Sequence, residues 1–266
     1  MRVLIAADME GVSGVVHWEQ VRPGHSEYER FRTIMTDEVN AAIDGALDGG
    51  ASSVIVTDGH NDGRNLLIEK LHAPAALNSG SPSPLSMVEG IQEAERVFFI
   101  GYHARAGTPD AILCHTWNDQ VRRVWLNELE VGEIGLNAAV CGSFGAPVAL
   151  ITGDLAAVKE AGALLGPIGS VVVKSAHGRL AAECRPVEET RLEIRRMAAH
   201  AMVRGVEPFI VEVPVRLRVE LSRPDQVDRA LRVPGAKRLD GVSVEWIGDN
   251  MVSVYHAFRA ISALGN

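Results

Sequence analysis

The sequence predicts an α/β protein: a largely parallel sheet with flanking helices, followed by a smaller C-terminal α+β domain. Three observations lead there. Short β-branched runs alternate with longer stretches of helical periodicity, as repeated βα units require. The residues that follow those runs are acids, histidines and glycines, and beyond Pro186 the pattern changes to period-two alternation. Two units are expected, with residues 1–186 forming the α/β catalytic domain and residues 187–266 the smaller one.

Val3 to Ala7 reads as the first strand. Phe31, Met35, Val39, Ala42 and Ala46 then recur at helical steps, and Gly49-Gly50 ends that helix. Ser53 to Thr57, Arg96 to Ile100, Val148 to Thr152 and Val171 to Lys174 supply four more strands. Ile134 to Gly153 carries no charge and approaches the length of a membrane span. Gly135, Asn137, Gly142, Ser143, Gly145 and Pro147 interrupt it, so it reads as helix, turn and buried strand. Ser79 to Pro84 marks an exposed loop. A charged helix from about Val187 to Val203 precedes a half-buried strand in which Val211, Val213, Val215, Leu217, Val219 and Leu221 share one face, and Pro214 suggests a sheet edge. Ser222 would cap a helix through Leu231, Gly241 to Trp246 a further strand, and Met251 to Leu264 a closing helix.

Composition narrows the partners. With 26 Lys and Arg against 34 Asp and Glu the net charge is −8, and the basic residues form no run, so nucleic acid is not an expected partner and neither is a membrane. Three scattered cysteines without C-x-x-C, and too short an apolar run before Asp8 for a secretory signal, lead us to expect a cytoplasmic location.

In open parallel sheets ligands bind beyond the carboxyl ends of the strands. Here the first strand runs into Asp8-Met9-Glu10-Gly11, the second into Asp58-Gly59-His60, the third into Gly101-Tyr102-His103-Ala104-Arg105, and His115 and Glu133 precede the fourth. Carboxylates and imidazoles gathered at one sheet edge suit a divalent transition metal. Gly11-Val12-Ser13-Gly14 is not G-x-G-x-x-G, two acids stand where a pyrophosphate would lie, and neither G-x-S-x-G nor a P-loop motif occurs. Taken singly each residue has a plainer reading: Asp8 as a cap or turn residue, His60, His103 and Glu133 as hydrogen-bonded or surface groups, and Asp58 and Asp62 as turn formers outright. Chance places one such group at a strand end easily and the whole set much less so. His17, His25, His72, His177, His200 and His256 read as structural or solvent-facing, and Cys114 reads as core because adjacent residues in an extended segment point to opposite faces.

Together with Asn65-Leu66, Ser86-Met87-Val88-Glu89-Gly90 and Gly132-Glu133-Ile134-Gly135-Leu136-Asn137-Ala138, these motifs make the chain resemble the binuclear zinc D-aminopeptidase (DppA-like) family along its length. The resemblance implies two zinc ions per chain held by Asp8, Glu10, His60, His103 and Glu133, with Asp8 bridging and His115 at the catalytic histidine position. The family's S-x-D-x-E-G opening has Ala6 here in place of serine, which removes one hydrogen bond behind the ligands and leaves the ligands themselves intact. The resemblance further implies a homodecamer acting on short peptides that contain D-residues.

The residues and the resemblance meet in one expectation, hydrolysis of an N-terminal residue by a two-metal-activated water with His115 as base, acid or oxyanion donor. Arg105 and Tyr102 are candidates for the carboxylate end of a short peptide, against the simpler pairing of Arg105 with a structural acid. Two alternatives stay open: a di-metal hydrolase of another amide, ester or phosphoester, and a non-catalytic assembly protein stabilised by metal.

Overall fold

The computed structural model describes residues 1–265. A seven-stranded sheet is built from β1 (Arg2–Ala7), β2 (Ser53–Asp58), β3 (Ala76–Asn78), β4 (Arg96–Tyr102), β7 (Val148–Asp154), β8 (Gly169–Gly178) and β9 (Ala181–Cys184) in the order β3-β2-β1-β4-β7-β8-β9. All of its pairs are parallel except β8 with β9. A five-stranded antiparallel sheet takes β5 (Val121–Leu126), β6 (Leu129–Val131), β10 (Val215–Leu221), β11 (Lys237–Arg238) and β12 (Ser243–Gly248) in the order β11-β12-β10-β5-β6. The helices are α1 (Tyr28–Asp48), α2 (Glu133–Ser143), α3 (Leu155–Leu165), α4 (Val187–Val203), α5 (Pro224–Ala230) and α6 (Met251–Gly265).

β1 shows why a central parallel strand reads as one apolar run. Its alternate side chains feed two separate cores. Val3, Ile5 and Ala7 pack with Phe31, Met35 and Val39 of α1 and with Ile194 and Ala198 of α4. Leu4 and Ala6 face the other way, towards α2, α6 and the antiparallel sheet, in a core that includes Ile134, Val219, Tyr255 and Phe258. Helix α1 ends as its glycines require: Gly50 takes φ +94°, and the Ala51 N–H reaches back to the Ala46 carbonyl at 2.9 Å.

The two sheets do not part at residue 186. β5 and β6 come from the N-terminal segment and pair with β10, while α4 packs on α1 against the first sheet. Leu217 and Val219 therefore share a core with Leu4 and Phe99. Pro214 is not at a sheet edge either: it lies just before β10, and β10 is central, flanked by β12 and β5. Ser222 does not cap α5. Its hydroxyl donates to the carbonyls of Asp119 and Gln120, and Arg223 occupies the cap position. The charge-free stretch resolves into α2, a turn and β7, and no described helix is long and apolar enough to cross a membrane.

Candidate metal centre

The site forms where the strand order reverses. β1 pairs in parallel with β2 on one side and β4 on the other, and Ala7 is in register with both Asp58 and Ile100. Asp8, His60 and His103 follow those aligned positions by one, two and three residues, so three strands deliver their ligand-type side chains to one edge. Two glycines allow the close approach. Gly101 adopts φ +73°, and a Cβ on it would lie 2.2 Å from the Asp8 carbonyl oxygen; one on Gly11 would lie 2.0 Å from that of Tyr102.

The five ligand candidates are almost fully buried, and they converge. Asp8 Oδ1 and Glu10 Oε2 lie 3.3 and 3.1 Å from His60 Nδ1. Asp8 Oδ2 and Glu133 Oε1 lie 3.4 and 3.2 Å from His103 Nε2. The two oxygens of Asp8 thus face two different clusters. Asp8 Oδ2, Glu10 Oε2 and His103 Nε2 are buried without a hydrogen-bond partner, which is costly for polar atoms unless a cation meets them.

The histidines reinforce this. His60 Nε2 is 2.7 Å from the Val21 carbonyl, His103 Nδ1 is 3.0 Å from that of Ala104, and His115 Nδ1 is 2.9 Å from that of Leu113. A carbonyl only accepts, so His103 Nδ1 and His115 Nδ1 donate and each neutral ring's lone pair is on the nitrogen turned into the site, while His60 Nε2 meets the Asn61 amide nitrogen at 2.8 Å as well as the Val21 carbonyl. Metal-binding imidazoles are held in this way, and the donor set of three carboxylates and two imidazoles fits zinc.

His115, in the loop between β4 and β5, lines the cleft at the edge of the cluster, its Nε2 3.8 Å from Glu133 Oε1. Its ring stacks on His103, with centroids 4.1 Å apart, and Trp18 meets it edge-on at 5.5 Å. Burial and the neighbouring His103 push its pKa below the ordinary histidine value, which keeps it neutral as a base must be.

Burial, with the Glu10 charge beside it, pushes the Asp8 carboxyl up to about 7. For His60 and His103 burial works towards the neutral form, yet Glu10 and Glu133 respectively, with Asp8, outweigh it and hold both rings well above the usual value. Burial opposes ionisation of Glu10 and Glu133 too, but His60 beside the one and His103 beside the other keep both below the usual carboxylate range. Protons thus stand where cations would, and a bound ion must displace them. Zinc retention against a chelator is therefore expected to weaken steadily from about pH 8 to about pH 5; retention independent of pH would mean that these imidazoles do not hold the metal.

One contributor escaped the sequence reading. Lys174, in the middle of β8, is buried, and its ammonium donates to the backbone carbonyls of Glu10 at 2.6 Å and Val12 at 2.7 Å. From the other side Glu38 of α1 accepts the Ser13 N–H at 3.1 Å. Together they fix the turn that carries Glu10. Burial pushes the lysine down to about 8 against the pull of Asp154 and Glu38. A charged residue within the apolar run Val171-Val172-Val173 was the available signal. Lys174→Met is expected to weaken zinc binding about 10- to 100-fold in chelator competition, and an unchanged affinity would reduce Lys174 to a packing role.

Other candidates lie elsewhere. Tyr102 is fully buried and its hydroxyl is 3.0 Å from Asn137 Nδ2, while Arg105 pairs with Glu130 and Glu160, so neither faces the cluster. Asp58 accepts the N–H groups of Asn65 and Leu66, and Asp62 pairs with Arg64 at the surface. The Cys114 thiol is directed at the Thr108 carbonyl. His72 pairs with Asp44 and His17 caps a short 3₁₀ helix.

The sequence profile of the D-aminopeptidase family matches residues 1–260. The chain belongs to this family. Among its D-aminopeptidase relatives, one from Bacillus subtilis (strain 168) is 36% identical over 268 aligned positions, 99% of this chain and 97% of the relative. The solved structure of the Zn-dependent D-aminopeptidase DppA from Bacillus subtilis, described as a self-compartmentalizing protease, superposes with a TM-score of 0.97 at 34% identity, covering all of this chain and 98% of that one.

Proposed function

We propose that this member of the D-aminopeptidase family is a zinc-dependent aminopeptidase that removes D-configured N-terminal residues from short peptides. The observation that carries the proposal is the pair of clusters sharing Asp8, with buried orphan ligand atoms and imidazoles turned lone pair inwards. We assign two zinc ions per chain to them, one to Asp8, Glu10 and His60 and one to Asp8, His103 and Glu133. Bound zinc supplies Lewis-acid polarisation of the scissile carbonyl and lowers the pKa of water.

The chain's own groups do the rest. His115 Nε2 accepts the proton of the attacking water, and the imidazolium returns it to the departing amine. Its donation to the Leu113 carbonyl and its stacking on His103 hold the ring in place for both transfers. The Trp117 N–H, 2.7 Å from Glu133 Oε1, steadies that carboxylate. The cleft over the cluster encloses about 410 Å³ and is walled by Trp18, Met87 and Trp117, a volume suited to a short peptide.

The solved relative's self-compartmentalizing character supports a homo-oligomer, for which we propose a decamer, and the unpaired thiols of Cys114, Cys141 and Cys184 support a cytoplasmic location. The test is a panel of D- and L-aminoacyl p-nitroanilides with and without chelator. Chelator-sensitive, D-selective cleavage is expected. Cleavage confined to L-residues would refute the stereochemical assignment, and chelator-insensitive turnover the metal.

A further inference from the structure

We infer that Arg22 is the subsite for a free C-terminal carboxylate, which makes this cleft selective for dipeptides ending in the acid over their amides. The inference rests on the aminopeptidase reading above and adds the substrate's other end to it.

Arg22 and Arg259 are the two basic residues lining the cleft that holds Asp8, Glu10 and His115. Arg259 is already engaged, since its guanidinium donates to the carbonyls of Ser83 and Pro84. Arg179, which does not line the cleft, donates to the Cys114 carbonyl and also lies over the Trp18 ring, 5.6 Å from its centroid. The Arg22 guanidinium lies over the same ring, 5.0 Å from its centroid. No acid or carbonyl among the described residues accepts from it.

Cation–π contact uses the flat face of a guanidinium and leaves its N–H groups in the plane. A carboxylate needs that fork, and a neutral amide cannot take two parallel charge-assisted bonds from it. Trp18 also fixes where the fork stands, because the same side chain meets His115 edge-on at 5.5 Å. The two contacts keep Arg22 within roughly 10 Å of the His115 ring, which spans the scissile carbonyl and one extended residue at ~3.5 Å plus a hydrogen bond at either end. The positive charge expected at Arg105 is thus supplied by the loop residue Arg22.

The experiment compares D-alanylglycine with its C-terminal amide, D-alanylglycinamide, in the zinc-loaded full-length protein, Arg22→Gln and Arg22→Lys. Turnover gives the ratio of kcat/KM for acid over amide. Calorimetric titration into zinc-loaded His115→Ala, alone and combined with Arg22→Gln, gives the ratio of affinities without turnover. The acid is expected to be preferred about tenfold or more through KM, the preference to collapse to about one in Arg22→Gln, and Arg22→Lys to restore part of it. An acid-over-amide affinity ratio that does not move on Arg22→Gln would overturn the assignment, whatever the turnover. If the ratio moves but neither compound is cleaved by the unmutated protein, Arg22 is a carboxylate subsite and it is the peptidase reading that falls.

Discussion

Asp8→Asn is expected to empty both clusters at once, taking zinc from two ions per chain to nearly none and turnover down by on the order of 10³-fold or more. The reason is the placement of its two oxygens, one beside His60 and the other beside His103. An amide keeps the shape but removes the negative charge, and it turns a donor towards one of the two positions. Losing a catalytic metal forfeits several kcal/mol of charge stabilisation, and each 1.4 kcal/mol is a factor of ten in rate. Glu10→Gln is the control, because Glu10 stands nearest His60, at 3.1 Å, with His103 farther off but within 4.8 Å. It should cost one ion and leave the other. Metal analysis of the two variants side by side separates them, and equal loss in both would show that Asp8 is not shared.

His115→Ala is expected to keep both zinc ions and lose about 10²- to 10⁴-fold in kcat, the range of a positioned acid–base group. Its Nε2 is farther from Glu133 than the Nε2 of His103 is, at 3.8 Å against 3.2 Å, and its other nitrogen is tied to a loop carbonyl. That geometry suits a proton carrier beside the cluster more than a member of it. His103 and His115 with Glu133 do lie close enough together to hold an ion between them, so metal content must be measured as well as rate. A variant that loses one zinc would make His115 a ligand. A variant that retains full activity would make it a bystander.

The parallel sheet and the edge where the acids and histidines converge were legible because both follow from local signals. β1, β2, β4 and β7 are buried runs with few charges, and the residues just past the first three of them hold chemistry that turns seldom need. Helix α4 was legible for a similar reason, running from Val187 to Val203 as its periodicity indicates. What stayed hidden depends on contacts between distant segments. In β5, Arg122 and Arg123 sit side by side on the exposed surface and break the alternation, and pairing with β10 nearly a hundred residues away is what makes it a strand. That pairing also draws the second sheet from both sides of residue 186. The placements of Trp18 and Arg22 were out of reach because loop residues carry no period, and although a charge next to an apolar run singles out Lys174, its two carbonyl partners come from the distant Glu10 turn.

The central claim is that two cations share the Asp8 carboxylate, and anomalous diffraction at the zinc edge from zinc-loaded crystals tests it most directly. Two peaks about 3.5 to 4 Å apart are expected, the Asp8 oxygens touching both, with Glu10 and His60 on one and His103 and Glu133 on the other. A single peak, or peaks bound by other residues, would contradict it.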